Sequence, residues 1–228
     1  MLGTFRLFLA LLVACSHTGL TFSGLNPGVM AVVGFYLISG YVMAGLMARH
    51  YNSPSDASSF YLDRAFRLLP QYLFYMLLAL GWQIYSQAST QFLTRLPSFV
   101  DLLNNLLVVP LNYYMFNGSD QFTLIPPAWS LGAEVQFYIL APFVLLMPKR
   151  LFVVGLVGLG AYVASLVGLI NSDWFGYRLL PGVLLFFLAG AYLQQLHRQQ
   201  CTRFLSLGFP VLLIASAAFA VILLGHKG

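Results

Sequence analysis

The sequence consists largely of apolar blocks about twenty residues long, and short segments between these blocks hold most of the charges. An α-helix rises about 1.5 Å per residue, so a block of this length matches the roughly 30 Å hydrocarbon core of a bilayer. Only 7% of the 228 residues are Asp, Glu, Lys or Arg, whereas a soluble domain has about 25%. These features exclude an ordinary soluble fold and predict an all-α, multi-span transmembrane helical bundle.

Seven apolar runs are long enough to be interpreted as membrane spans. They cover residues 4–22, 28–48, 66–85, 128–147, 151–170, 179–196 and 204–225. Crossings of about twenty residues each leave room for one long connector but not for a separate soluble domain. We therefore expect residues 1–228 to form a single membrane domain embedded in the lipid bilayer.

Lys and Arg are concentrated on one predicted side of the membrane. Most of them lie in the connectors that follow the second, fourth and sixth spans. The positive-inside rule then places the N-terminus in the cytoplasm. Because the net charge of +5 follows from this pattern, and no basic stripe with interleaved aromatic residues is present, we expect no nucleic-acid partner.

The connector at residues 86–127 is the one long segment between the predicted spans. Ser98, with Asp101 three residues later, is the pattern of a capping box, and the apolar residues that follow recur at helical spacing. At about ten to twelve residues, this helix is too short to cross the membrane. We expect it to be an interfacial amphipathic helix on the outer side, where it either anchors the domain or roofs an outward-facing cavity.

Ionisable residues inside spans are the first candidates for a functional site, because inserting each costs about 2.5 to 3.5 kcal/mol. Arg6 and His17 share the first span, and at about 100° per residue they point to one face, about 16 Å apart. Counted from the ends of their spans, His17 and Glu134 have similar depths near the outer surface. We predict that Glu134 holds the His17 imidazole as a general base; a polar pair that only orders the bundle is the alternative.

Basic and small residues suggest a second candidate site. Arg64 and Arg67 are one turn apart at the predicted cytoplasmic end of the third span. Together with Arg6 they form a candidate site for a phosphate-bearing donor, although topology alone also explains them. Small residues of the second span, among them Ser39 and Gly40, allow close approach of either another helix or a ligand.

The two cysteines predict neither a disulfide nor a metal site. Cys15 lies inside an apolar block and Cys201 lies in a basic connector, so their spacing fits no ligand pattern. The segment Leu12-Val13-Ala14-Cys15 is similar to a lipoprotein cleavage box. Because the apolar run continues beyond it, we expect an uncleaved first span.

Four segments that carry these residues resemble the acyltransferase-3 family of bacterial multi-pass membrane O-acyltransferases. Taken singly each is a weak signal, but their order along the chain matches the family. The segments are Arg6 and His17 with ten residues between them, Gly34–Tyr41 with its Ser39-Gly40 pair, Tyr61–Pro70, and Pro127–Leu131 followed by Glu134, Phe137 and Tyr138.

The resemblance implies that an acyl group, expected to be acetyl, moves from cytoplasmic acyl-CoA to a hydroxyl of an extracytoplasmic glycan or similar acceptor at the bacterial cytoplasmic (inner) membrane. It implies catalytic roles for His17 and Glu134 and no metal. It implies acyl-CoA-binding side chains at Arg6, Arg64, Arg67 and Ser39. The family core has more helices than the seven predicted here, so we expect either a short or C-terminally truncated member or one whose missing helices come from a partner subunit.

Two other functions are compatible with the sequence. In a transporter or flippase for a glycan or a lipid-linked intermediate, the charged residues would line a path without reacting. Such a protein would move its substrate without consuming acyl-CoA. In an inactive scaffold subunit of surface-polysaccharide assembly, replacing His17 would leave the cellular phenotype unchanged.

Overall fold

A computed structural model describes residues 2–19, 21 and 26–198 of the chain. The predicted span at 204–225, Cys201 and part of the first predicted span lie outside these residues. The helices, in chain order, are α1 (Leu2–His17), α2 (Pro27–Arg49), α3 (Ala57–Ser86), α4 (Phe99–Leu107), α5 (Tyr114–Asn117), α6 (Ala128–Leu145), α7 (Pro148–Leu166), α8 (Ser172–Tyr177) and α9 (Leu180–Arg198). Because the described residues form helices, short 3-10 turns and isolated bridges but no named strand, the predicted all-α class is confirmed.

The chain divides into two compact units. We call Met1–Asn52 with Ala141–Gly228 the terminal unit, and Ser53–Leu140 the middle unit. Within the described residues, the terminal unit contains α1, α2, α7, α8 and α9, and the middle unit contains α3, α4, α5 and most of α6.

Three helical stretches are both long enough and apolar enough to cross a membrane. They are Pro27–Arg49, Ala128–Leu145 and Ser172–Arg198. The apolar helices Leu2–His17 and Arg150–Leu166 are shorter. The described residues therefore support a helical membrane protein.

Several helix boundaries differ from the sequence prediction, and the largest difference is in the third span, which was predicted to start at residue 66. The helix α3 begins at Ala57, because a capping box between Ser53 and Asp56 starts a short 3-10 turn that runs directly into it. Arg64 and Arg67 therefore lie in the second and third turns of α3 and not at its start. The helix α1 ends at His17, five residues before the predicted end at residue 22.

The helices α2 and α9 touch through their backbones. A Cβ atom built on Gly40 would lie 1.8 Å from the carbonyl oxygen of Phe187, and one built on Gly190 would lie 1.9 Å from that of Leu37. Beside these contacts the rings of Tyr36 and Phe187 pack with centroids 4.7 Å apart. Of the two sequence interpretations of Gly40, helix packing is therefore the one that the structure supports.

In the middle unit, α3 and α6 run antiparallel. The Tyr61 hydroxyl donates to the carbonyl oxygen of Ile139 at 2.8 Å, so the start of α3 lies beside the later turns of α6. Further along α3, Tyr72 belongs to one apolar cluster with Ala128, the first residue of α6. Because α3 continues from Tyr72 to Ser86, it extends about 21 Å past the start of α6. The two helix ends therefore do not mark one membrane surface, as the sequence interpretation had assumed.

The helix predicted in the long connector is present as α4. The Ser98 hydroxyl accepts from the Asp101 amide at 3.2 Å, and the Asp101 carboxylate accepts from the Ser98 amide at 2.8 Å. The Arg95 guanidinium also donates to Asp101, at 2.7 Å. The capping box is thus confirmed, and the ion pair with Arg95 ties the start of α4 to the chain before it.

Candidate functional site

Arg6 and His17 lie in one continuous helix, as their spacing requires. The residues through which α1 packs against its neighbours include Phe5, Leu9 and Leu12. At about 100° per residue, Arg6 and His17 lie within about 20° of each other. They adjoin Val13, which also packs in the cluster of Leu9. Arg6 is half-buried and His17 is exposed. The two side chains therefore share one face of α1, at the edge of its packing residues.

Glu134 has a defined partner on its own helix. The Tyr138 hydroxyl, one turn further along α6, donates to Glu134 Oε1 at 2.5 Å. The Tyr138 ring in turn packs edge-on against Phe60 of α3, with centroids 6.4 Å apart. Glu134 is half-buried in this position. A hydrogen bond therefore joins Glu134 and Tyr138, the two polar residues of the Glu-Phe-Tyr signature, and the phenol fixes the carboxylate.

The two arginines of α3 differ in their surroundings. Arg64 is only 7% exposed and forms an ion pair with Asp63 through its Nε and Nη2 atoms. Arg67 is exposed. The buried residues of α3 recur four apart, so Arg64 lies on the same stripe as Phe60 and Tyr72. The sequence treated the two arginines alike, but only Arg64 is on the packed side of the helix.

The contact between Phe60 and Tyr138 sets the register of α3 against α6. One turn along α3 from Phe60 is Arg64, and one turn back along α6 from Tyr138 is Glu134. Because the helices are antiparallel, Arg64 and Glu134 lie at about the same level along the two helices. The sequence interpretation, which put Arg64 near the inner surface and Glu134 near the outer one, is not supported by this register.

The remaining predicted site residues are divided between the units. Arg6, His17 and Ser39 belong to the terminal unit, where Ser39 is buried, 1% exposed, in α2. Glu134 belongs to the middle unit, so the pairing of His17 with Glu134 joins two units and stays a prediction. Within residues 2–19, 21 and 26–198, no group of three or more His, Cys, Asp or Glu side chains is arranged to hold a metal ion.

Sequence reasoning missed a polar contact between the connector and α6. The Gln136 side chain donates to Asn112 Oδ1 at 3.0 Å and to the Gly132 carbonyl at 3.1 Å, and it accepts from the Tyr113 hydroxyl at 2.6 Å. Gln136 is two residues from Glu134, on the opposite side of α6. The available signal was the uncharged amide of Gln136 within an apolar span, but only ionisable residues inside spans had been taken as site candidates.

Asn105 is a second residue that the sequence did not single out. It is fully buried, and its amide nitrogen donates to the carbonyl oxygens of Asp101 and Phe122 at 2.9 and 3.0 Å. Its side-chain oxygen accepts from the Leu124 amide at 2.9 Å, and its backbone oxygen accepts from the Tyr72 hydroxyl at 2.6 Å. One asparagine thus joins α4, the end of the connector and α3.

We expect Asn105→Asp to destabilise the protein by about 2 to 3 kcal/mol, because a carboxylate cannot donate to the carbonyl oxygens of Asp101 and Phe122 and places a negative charge beside them in a fully buried site. The measurement is the thermal unfolding midpoint in detergent. Asn104→Asp, the same change at the adjacent, half-buried position, is the matched control and should have a small effect. Equal midpoints for the two variants would contradict the assigned role of Asn105.

Comparisons with known proteins agree with the sequence resemblance. A family model described as an acyltransferase domain matches residues 2–227. A protein of Aquifex aeolicus is 40% identical over 104 residues, which cover 46% of this chain and 47% of that protein. A Staphylococcus aureus protein is 30% identical over 189 residues, covering 72% of this chain and 31% of its own length. The O-acetyltransferase OatA of Staphylococcus aureus is 28% identical over 155 residues, covering 61% of this chain and 25% of OatA.

No solved structure matches the chain. The matched region is less than half of each of these relatives, at 47%, 31% and 25% of their lengths. The family model nevertheless covers nearly the whole sequence. This chain belongs to the acyltransferase-3 family.

Proposed function

We propose that the chain is the membrane-embedded part of an O-acetyltransferase. It moves an acetyl group from cytoplasmic acetyl-CoA to a hydroxyl of an extracytoplasmic glycan or similar acceptor, in a bacterial cytoplasmic membrane with the N-terminus inside. The observation that carries this proposal is the match of the acyltransferase family model to residues 2–227. The position of Arg6 and His17 on one face of α1 supports it. No observation favours the transporter or the scaffold.

The proposed reaction needs one base and no metal. The acceptor oxygen attacks the thioester carbonyl carbon while His17 removes the hydroxyl proton. The carbon–sulfur bond then breaks, and the CoA thiolate leaves and takes the proton back from the imidazolium, so that the products are the acetyl ester and free CoA. A positioned base of this kind contributes about 10² to 10⁴ to the rate.

Glu134 is assigned as the residue that positions His17. Its Oε1 atom is held by Tyr138, and we assign the imidazole N–H to its second oxygen. We assign Arg64, at about the same level of α3, as a cation that lowers the cost of this carboxylate in an apolar span. Arg64 thus supports Glu134 as well as the donor.

We assign the acetyl-CoA phosphates to Arg6, Arg64 and Arg67, with Ser39 close to the donor in α2. Arg67 is exposed and Arg64 is buried, so the two have different roles. Arg67 is assigned to phosphate binding alone, whereas Arg64 also supports Glu134. Guanidinium groups suit this task, because their planar donors match phosphate oxygens in pairs.

The membrane arrangement is also part of the proposal. We assign six spans to α1, α2, α3, α6, α7 and α9, and the seventh to residues 204–225. Because the curated relatives are at least about twice as long as the matched region, we propose that a partner subunit or a further part of the protein completes the bundle.

We expect Arg67→Ala to raise KM for acetyl-CoA about tenfold with little change in kcat, because it removes a charge-assisted phosphate contact. Arg64→Ala should lower kcat as well, because we also assign its charge to the support of Glu134. Steady-state kinetics with varied acetyl-CoA separate the two effects. Arg49→Ala, an exposed arginine at the end of α2, is the control. If both α3 variants have unchanged KM, the donor site is elsewhere.

The function itself is tested with membranes that contain the chain. Acetyl-CoA labelled in the acetyl group is supplied with a cell-wall glycan preparation, and label that hydroxylamine releases is counted as ester. We expect ester formation that depends on the chain. Movement of the glycan without acetyl-CoA consumption would instead identify a transporter.

A further inference from the structure

We infer that the connector between α3 and α6 is a re-entrant segment, in which α4 lies near the bilayer midplane and its apolar face contacts lipid acyl chains. This location is deeper than the interfacial one expected from the sequence. The inference requires that α3 crosses the membrane, and it is independent of the chemistry proposed above. It is argued from contacts within the middle unit alone.

The first observation is that α4 is amphipathic with its apolar side outward. Phe99 is 79% exposed and Leu107 is 55% exposed, whereas Asp101 and Asn105 are 2% and 0% exposed. The other outward apolar residues are Val100, Leu102, Leu103 and Leu106. A helix in water has the opposite arrangement, with its apolar stripe toward the core. The outward face of α4 therefore matches an apolar surrounding.

The second observation is the level at which α4 contacts α3. The exposed rings of Trp82 and Tyr85 pack together near the end of α3, with centroids 6.0 Å apart. Such aromatic residues mark the membrane–water interface. Tyr72 precedes Trp82 by ten residues, which places it about 15 Å deeper along the helix.

The hydrogen bond from Tyr72 to the Asn105 carbonyl holds α4 at this depth. About 15 Å is half of the hydrocarbon thickness of a typical bilayer. A helix at the interface would instead contact α3 near Trp82. Apolar side chains of α3 such as Phe74 and Leu77 are exposed as well, which fits an apolar surrounding for both helices.

The third observation is that the turn directly after α4 is buried by protein. Val108, which ends α4 with a φ of 65°, is buried, and its amide donates to the Asn104 carbonyl at 3.1 Å. Its own carbonyl accepts from the Leu111 amide at 3.0 Å. Gly132 of α6 closes over this turn, because a Cβ atom there would lie 2.9 Å from the Val108 carbonyl oxygen.

Non-helical backbone is tolerated at membrane depth only where protein buries it or where it lines a cavity. The Val108 turn meets this condition, as do Asn105 and the bonds between Asn112 and Gln136. The polar side of the connector is thereby carried to mid-membrane depth, beside the helix that carries Glu134.

The test is a depth measurement by electron paramagnetic resonance. A nitroxide is attached to Leu103→Cys in the full chain with Cys15→Ser and Cys201→Ser, reconstituted in phosphatidylcholine–phosphatidylglycerol vesicles. Collision rates with oxygen, which concentrates in the hydrocarbon, and with a water-soluble nickel complex give the depth. Labels at Phe74→Cys and Tyr85→Cys in α3 calibrate the mid-membrane and interface positions.

We expect the Leu103 label to match the Phe74 label, with high oxygen access and an access to nickel at least about threefold lower than that of the Tyr85 label. A Leu103 label that matches the Tyr85 label would overturn the inference in favour of an interfacial helix. A label accessible to neither reagent would overturn it in favour of a protein partner, such as a second copy of the chain. Leu107→Cys, also on the outward face, provides an independent second label whose result must agree.

Discussion

His17→Ala is expected to lower acetyl transfer about 100-fold or more, because the variant loses the base that removes the acceptor proton. Binding of CoA, measured by calorimetry, should change less than about twofold, since the donor contacts are assigned to other residues. The exposed His50 at the end of α2 offers a matched histidine control. His50→Ala should transfer acetyl at the rate of the unchanged protein.

The assignment of His17 fails if the alanine variant retains most of its activity. It also fails if His17→Ala abolishes CoA binding as completely as it abolishes transfer, because His17 would then belong to the donor site. A companion variant, Glu134→Gln, separates the positioning role. It should lower kcat and shift the pH profile of the remaining activity, whereas a purely structural role would change neither selectively.

Gly40→Ala is expected to have the largest effect on folding. The new methyl group would lie 1.8 Å from the Phe187 carbonyl oxygen, so α2 and α9 would have to separate. Overpacking costs about 1 to 3 kcal/mol, and a clash with backbone belongs at the upper end because backbone cannot rotate away. We expect the unfolding midpoint in detergent to fall by about 6 to 12 °C.

Gly45→Ala is the matched control for Gly40→Ala, because it is the same change on the same helix. Its methyl group would lie 3.4 Å from the Gln194 amide nitrogen, which is close to an ordinary contact with a flexible side chain. An alanine also favours helix formation over glycine by about 1 kcal/mol. A Gly40→Ala protein as stable as Gly45→Ala would show that α2 and α9 do not pack as described.

The helices of this chain were largely predictable because lipid imposes a strong length and polarity pattern. The helix α2 matches its predicted span within one residue at each end, and the capping box of α4 is where Ser98 and Asp101 placed it. The start of α3 was missed because Ser58, Ser59 and Asp63 break the apolar pattern without breaking the helix. Hydropathy detects the apolar part of a helix, whereas caps such as Ser53 determine where the helix begins.

The candidate site was predictable only as far as single helices are concerned. The common face of Arg6 and His17 follows from helical geometry. The level of Glu134 does not, because it depends on how the connector folds back along α3 and thereby moves the start of α6. Asn105 and Gln136 were passed over for a related reason: an uncharged amide inside a polar network carries no signature until its partners are known.

The contacts at Gly40 and Gly190 also restrict how this protein can move. Each glycine contacts a backbone carbonyl of the opposite helix. If α2 slid along α9 by one residue, a side chain would collide with a carbonyl at both contacts. The two helices therefore move as one rigid body, and any motion that admits donor or acceptor has to carry α2 and α9 together.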